Sequence, residues 1–321
     1  MISETLRCFP NPVKRHPTHV QDMGANVARR ATRDSSGEII VQAKMTRASR
    51  GEKGMASEQE LEQVARDVNV LASFLGTRDV PSLTPRALDE RYGAAQADVM
   101  ALFGGSILAG GDVLADAMRA GVARTYVIVG GAGHTTETFR EKVRELCPDL
   151  TFAGDATEAQ IFSSYVSHVH GLKADLLETS STNCGNNITY LRDLLADRGI
   201  PCKSLILSQD ATMQRRMVAL AAKEMPGVLP IAFATYSVRV TVRDGELAYD
   251  HAPLGMWDTS RYLTLLMGEI PRLTDDENGY GPRGKGFLAH VDIPMQVRGA
   301  WDRLLKRYPW SMRTADPRYA G

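Results

Sequence analysis

Residues 124–137 read RTYVIVGGAGHTTE. An apolar run ending in Val127, Ile128 and Val129 passes without polar alternation into Gly130, Gly131 and Gly133, and a helix-compatible segment follows. A strand that is apolar on both faces needs cover on both, and a helix leaving its end is half of a parallel crossover. The same pattern recurs in ADVMALFGGS (97–106), ADLLETSSTN (174–183) and KSLILSQDAT (203–212). These repeated strand–turn–helix units specify an α/β protein with a doubly wound, mostly parallel Rossmann-like sheet. In such sheets ligands bind outside the carboxyl ends of the strands, where strand order reverses. All four polar turns are therefore expected on one edge.

The core predicted from these units spans about 95–240, inside one domain of residues 56–321. Ahead of it, ASEQELEQVARDVNVLASFLG (56–76) carries Leu61, Val64, Val68, Leu71, Ala72 and Leu75 at helical spacing, a helical N-terminal addition. Behind it, VLPIAFATYSVRVTVRDGELAY (228–249) predicts a strand and a hairpin turning at Asp244-Gly245. Residues 241–321 complete the domain with C-terminal strand, helix and lid elements. RYLTLLMGEI and PMQVRGAWDRLLKR read as helices on either side of DDENGYGPRGKG (275–286), whose polar, aromatic and glycine-rich composition suggests a binding lid. Residues 1–55 are basic and weakly patterned, a composition expected of a disordered extension; a start at Met55 is also consistent with it.

Lys plus Arg and Asp plus Glu each total 38, so no net field recruits nucleic acid or an anionic membrane. Four cysteines without metal-binding spacing, and no apolar run of membrane-spanning length, favour a cytoplasmic protein with a small-molecule ligand. No resident metal is expected.

Each turn has a bland reading and a sharper one. Gly130, Gly131 and Gly133 either form a tight turn or let backbone amides approach an anion at a helix start, with His134 as a hydrogen-bonding group. Gly104 and Gly105 either allow close strand-to-helix packing or add to an open floor. Asp155 is the natural N-cap of the next helix with Glu158 three residues on, while Glu158 could instead face a ribose hydroxyl, an amine or a metal. Gln209 and Asp210 leave the fourth strand, and Arg215 lies one turn into the following helix, within reach of an anion.

LLETSSTNCGNN (176–187) crowds Glu178, Ser181, Thr182, Asn183 and Asn186 into one turn, more polar groups than one N-cap requires. Cys184 could be a nucleophile at a helix start, but no histidine, acid or arginine completes a nucleophile motif nearby, so the carboxamides are the better candidates.

GGAGHTT, ATEAQI, STNCGNN, QDATMQRR and RYLTLLMGEIPRLTDDENGYGPRGKGFLAHVDIP together resemble the YdcF-like branch of the SanA/ElyC/YdcF superfamily, bacterial proteins with a Rossmann-like domain, over roughly residues 60–305. The wider superfamily usually has a histidine and an arginine three apart after the fourth strand; here Thr212 stands in the histidine's place and Arg215 is kept. The resemblance implies a crevice lined by Gly104, Gly130, Gly131, Glu158, Ser181, Asn183, Asn186 and Arg215, and S-adenosylmethionine as its ligand, with Glu158 or Glu178 toward the cationic parts. A transferase is one consequence. Competing readings are a hydrolase or phosphotransferase whose metal is held by Asp155, Glu158 or Asp210, and a non-catalytic sensor whose 275–286 loop orders on binding.

Overall fold

Val99, Ala101 and Phe103 face one helical layer and Met100 and Leu102 face the other, and all of them are fully buried. That double burial makes Ala97–Phe103, β1, the middle strand of a five-stranded parallel sheet. The computed structural model describes residues 58–133 and 135–311, so the tract 1–55 and His134 lie outside the described residues. β2 (Ala123–Val129), β3 (Leu176–Glu178), β4 (Ser204–Ser208) and β5 (Leu229–Ala232) complete the sheet in the order β3-β2-β1-β4-β5. The fold is α/β, doubly wound and Rossmann-like.

α1 (Glu58–Leu75) and α2 (Pro85–Tyr92) precede β1, and α3 (Ala109–Ala120) joins β1 to β2. α4 (Thr136–Leu146) and α5 (Glu158–His170) join β2 to β3, α6 (Cys184–Asp197) joins β3 to β4, and α7 (Gln214–Glu224) joins β4 to β5. Leu88, Leu114, Val143 and Phe162 place α2, α3, α4 and α5 on one face; Leu71, Ile188 and Met217 place α1, α6 and α7 on the other. The chain leaves β1 for β2 on one side and returns from β3 to β4 on the other, so the switch point lies between β1 and β4.

The C-terminal third thickens the second layer. β6 (Val240–Arg243) and β7 (Glu246–Tyr249) form the expected hairpin, with Asp244 and Gly245 at φ of 52° and 75°, as a primed two-residue turn demands. Asn69 of α1 exchanges two 2.8 Å bonds with the Val240 backbone and so acts as a third strand's worth of pairing for β6. α8 (Thr259–Leu273) and α9 (Met295–Arg307) pack beside α1, where Arg303 holds the buried Asp67 carboxylate through bonds of 2.9 and 2.6 Å. Among the described residues no helix is long and apolar enough to cross a membrane.

Candidate functional site

The four polar turns do meet at the carboxyl ends of the strands, and the glycines explain how closely. A Cβ on Gly104 would lie 2.3 Å from Glu158 Oε2, and one on Gly131 would lie 2.1 Å from the Ser181 carbonyl oxygen. One on Gly130 would approach Gly104 Cα to 3.1 Å. These three glycines serve contact between turns, the packing alternative, rather than an empty floor. Gly105, at φ of 76°, and Gly133 are only half-buried, the amide of Gly105 held by Glu158 and that of Gly133 by Thr136 Oγ1 at 2.8 Å.

Glu158 is the brace beneath them. Its Oε2 accepts from Gly105 N–H at 2.5 Å, its Oε1 from Thr136 Oγ1 at 3.0 Å, and its own N–H donates to the Gly131 carbonyl at 3.1 Å. The helix starts at Glu158 itself, so the cap falls on Thr157, whose hydroxyl and backbone form a capping box with Gln160. Asp155, expected as the cap, is exposed and lies two residues too early, because Thr157 supplies the same oxygen in register with the first turn.

Burial pushes the Glu158 carboxyl above its ordinary range, against the pull of Thr136 and Gly105. A carboxyl raised by folding contributes stability that is present below its unfolded pKa and is lost as pH rises through the folded value. Glutamine can reproduce the protonated pattern, accepting from Gly105 and donating to Thr136. Glu158→Gln is therefore expected to keep the fold and to flatten the decline of Tm as pH rises above the ordinary carboxyl range. Asp210, also raised, is unchanged in both proteins, so parallel Tm curves would sink the assignment to Glu158.

The β3–α6 turn divides its polar groups between structure and surface. Asn183 is the N-cap, its Oδ1 accepting from Asn186 N–H at 3.0 Å. Ser181 Oγ accepts from Gly131 N–H at 3.1 Å, tying this turn to the β2 turn. Thr182 is exposed and donates to Oδ1 of the half-buried Asn186 at 3.4 Å. Glu178 Oε1 accepts from the N–H groups of Ser180 and Ser181 at 2.6 and 3.0 Å. Cys184, a half-buried free thiol, is the first residue of α6.

The residues after β4 are interior. Gln209 donates to the Gly104 carbonyl at 2.9 Å, accepts from Asp210 N–H at 2.6 Å and is fully buried, so it bridges the tips of β4 and β1. Asp210 is also fully buried. Its Oδ1 accepts from Thr212 N–H, Thr212 Oγ1 and Tyr236 OH at 2.9, 2.7 and 2.8 Å, and its Oδ2 from Trp257 Nε1 at 2.9 Å. Burial raises its pKa while Thr212, Trp257 and Tyr236 oppose the rise. With both oxygens engaged by protein donors, Asp210 is a structural anchor. Arg215, expected to lean toward an anion, instead donates Nε to the Phe74 carbonyl and stacks 4.1 Å from that ring. The end of α1 has carbonyls without helical partners, and Arg215 satisfies one. The metal trio does not assemble: among the described residues no group of three or more His, Cys, Asp or Glu gathers in a metal-holding arrangement.

Trp257 identifies an element that pattern reading overlooks. The segment 250–258 runs across the edge, its Leu254 carbonyl capping α3 by accepting from Ala109 N–H at 3.0 Å and its indole anchored on Asp210. The sequence signal is a tryptophan within a Pro- and Gly-containing connector, since a buried indole N–H needs an acceptor. The loop 275–286, expected as the lid, bonds chiefly to itself and to the end of α8. Tyr280 N–H donates to Arg272 O, Gly281 N–H to Thr274 O, and Lys285 N–H to Gly279 O. Ala289 N–H then meets Ala219 O on the flank of α7. Beside this loop a surface cavity of about 420 Å³ contains His290, which bridges Asp275 and Asp292 at 2.7 and 3.0 Å and is raised in pKa by both.

No family model matches the chain. An uncharacterised protein of Streptomyces coelicolor is 30% identical to it over 132 residues, 41% of this chain and 52% of the relative. The chain thus spans about half the length of that relative.

Proposed function

We propose that this is a YdcF-like protein that binds S-adenosylmethionine, or a similar nucleotide-like ligand, at the carboxyl edge of its sheet. The observation that carries the reading is the β3–α6 turn. Capping uses Asn183, yet Thr182 is exposed and Asn186, Gly105 and Gly133 are half-buried in the turns that leave β3, β1 and β2. Hydroxyls and carboxamides are the groups that recognise an adenosine edge and an amino-acid end. The free thiols Cys184 and Cys202 agree with a cytoplasmic setting.

Binding is the step these residues support. Glu158 and Asp210, the acids nearest the floor, are engaged by Gly105, Thr136, Thr212, Tyr236 and Trp257, and neither is placed as a base. When bound, S-adenosylmethionine would supply an electrophilic methyl group; the chain's own part is to hold and orient it. Calorimetry with S-adenosylmethionine and S-adenosylhomocysteine is expected to give saturable heat. At a ligand concentration 100 times Kd, Tm should rise by roughly 5–10 °C. Silence in both measurements with both compounds removes this ligand.

A further inference from the structure

Among the described residues three buried side-chain polar atoms lack a hydrogen-bond partner: Glu178 Oε2, Ser208 Oγ and Tyr249 OH. Two are hydroxyls, which can turn to suit a neighbour; the third is a carboxyl oxygen, which cannot change into a donor without taking a proton. Glu178 ends β3 and is 6% exposed. Its backbone carbonyl accepts from Gly130 N–H at 2.9 Å, so it is fixed to the β2 turn. Both amides that hold its side chain, Ser180 and Ser181, bond to Oε1, which leaves Oε2 buried and unengaged.

The neighbouring acids sharpen the contrast. Glu158 has a protein donor on each oxygen, and Asp210 receives four. A chain that satisfies two buried carboxyl groups completely has no packing reason to leave one oxygen of a third unsatisfied, because a buried acceptor without a donor retains its full desolvation penalty. A ligand donor removes that penalty on binding. Ligands lacking the donor are rejected strongly, since their binding leaves the acceptor sealed and empty.

We infer that Glu178 Oε2 is the acceptor through which the carboxyl edge of the sheet selects a ligand carrying hydrogen-bond donors. This rests on the ligand-binding reading above and deepens it: Glu178, rather than Glu158, addresses the ligand. Two donors of an adenosyl amino acid share the required chemistry, the ribose hydroxyls and the primary ammonium.

Glu178→Gln is the informative variant, because Oε1 can keep both amides while the unengaged acceptor becomes an NH₂ that opposes another donor. Calorimetry would compare wild type and variant with S-adenosylhomocysteine, which has both donors, and 5′-methylthioadenosine, which has the hydroxyls alone. The expected result is affinity at least tenfold weaker in the variant, with ligand-free Tm unchanged. Weakening toward both compounds assigns the hydroxyls; weakening toward S-adenosylhomocysteine alone assigns the ammonium. Equal affinities in wild type and variant overturn the inference and leave the adenosyl reading standing. A ligand-free Tm lowered by several degrees makes Oε2 a structural group and also overturns it. If neither compound binds wild type at millimolar concentration, both readings fall together.

Discussion

Arg216→Met should destabilise the fold by about 3–5 kcal/mol, seen as a lower urea midpoint with an unchanged slope. Arg216 stands in the first turn of α7 and donates Nε and Nη2 to the two oxygens of Glu269 on α8, at 2.6 and 3.0 Å. The two side chains are only 12% and 6% exposed, so the pair has little water to fall back on. Removing the guanidinium strands a buried carboxylate, which is the costly way to break such a pair. Arg272 lies 3.4 Å from Glu269 Oε1 and can take over part of the charge, which sets the loss toward the lower end of that range. The double change Arg216→Met, Glu269→Leu should recover most of the stability, because two apolar side chains of similar volume avoid both desolvation costs. A double variant as weak as the single would mean that Arg216 acts through packing of its stem against α8 rather than through the charge on Glu269.

What could be read in the sequence follows from the range of the forces involved. The strands of the sheet core were legible because burial on both faces writes itself as a local apolar run, as in Val99–Phe103. The hairpin was legible for the same kind of reason, since Asp-Gly at 244–245 meets a backbone requirement confined to two residues. Helix caps were half legible. Asp155 and Thr157 both offer an oxygen near the start of α5, and only the backbone geometry of Thr157 selects between them. Function at the edge was the hardest part, because composition does not reveal what a polar group already touches. Arg215 meets Phe74 across 141 residues, Trp257 meets Asp210 across 47, and Glu158 meets Gly105 across 53. Each of these partners converts a plausible ligand group into a structural one. The same limit applies to 275–286, whose glycines suit a mobile lid as well as a loop folded on itself. Gly284 belongs to the second case, since a Cβ there would lie 2.3 Å from the carbonyl oxygens of Asp276 and Gly279.

Gly131→Ala should be the most damaging single methyl addition at the carboxyl edge. The new Cβ would sit 2.1 Å from the Ser181 carbonyl oxygen and 2.9 Å from the Ser180 carbonyl carbon and the Ser181 nitrogen, all of them backbone atoms. No rotamer change relieves that overlap. The β2 and β3 turns would have to separate, breaking the Gly131 N–H bond to Ser181 Oγ and straining the Glu158 N–H bond to Gly131 O. Overpacking ordinarily costs about 1–3 kcal/mol, and a clash with fixed backbone belongs at or above the top of that range. Gly104→Ala meets Glu158 Oε2 at 2.3 Å, a side-chain atom that can swing away at the expense of its bond to Gly105, so its loss should be smaller. Gly154→Ala, with nothing within 4 Å and an exposed position, should be close to neutral. Thermal unfolding of the three variants without ligand tests this order. If Gly131→Ala unfolds like wild type yet no longer binds S-adenosylhomocysteine, the glycine belongs to the ligand rather than to the contact between turns, and the packing account of the edge fails.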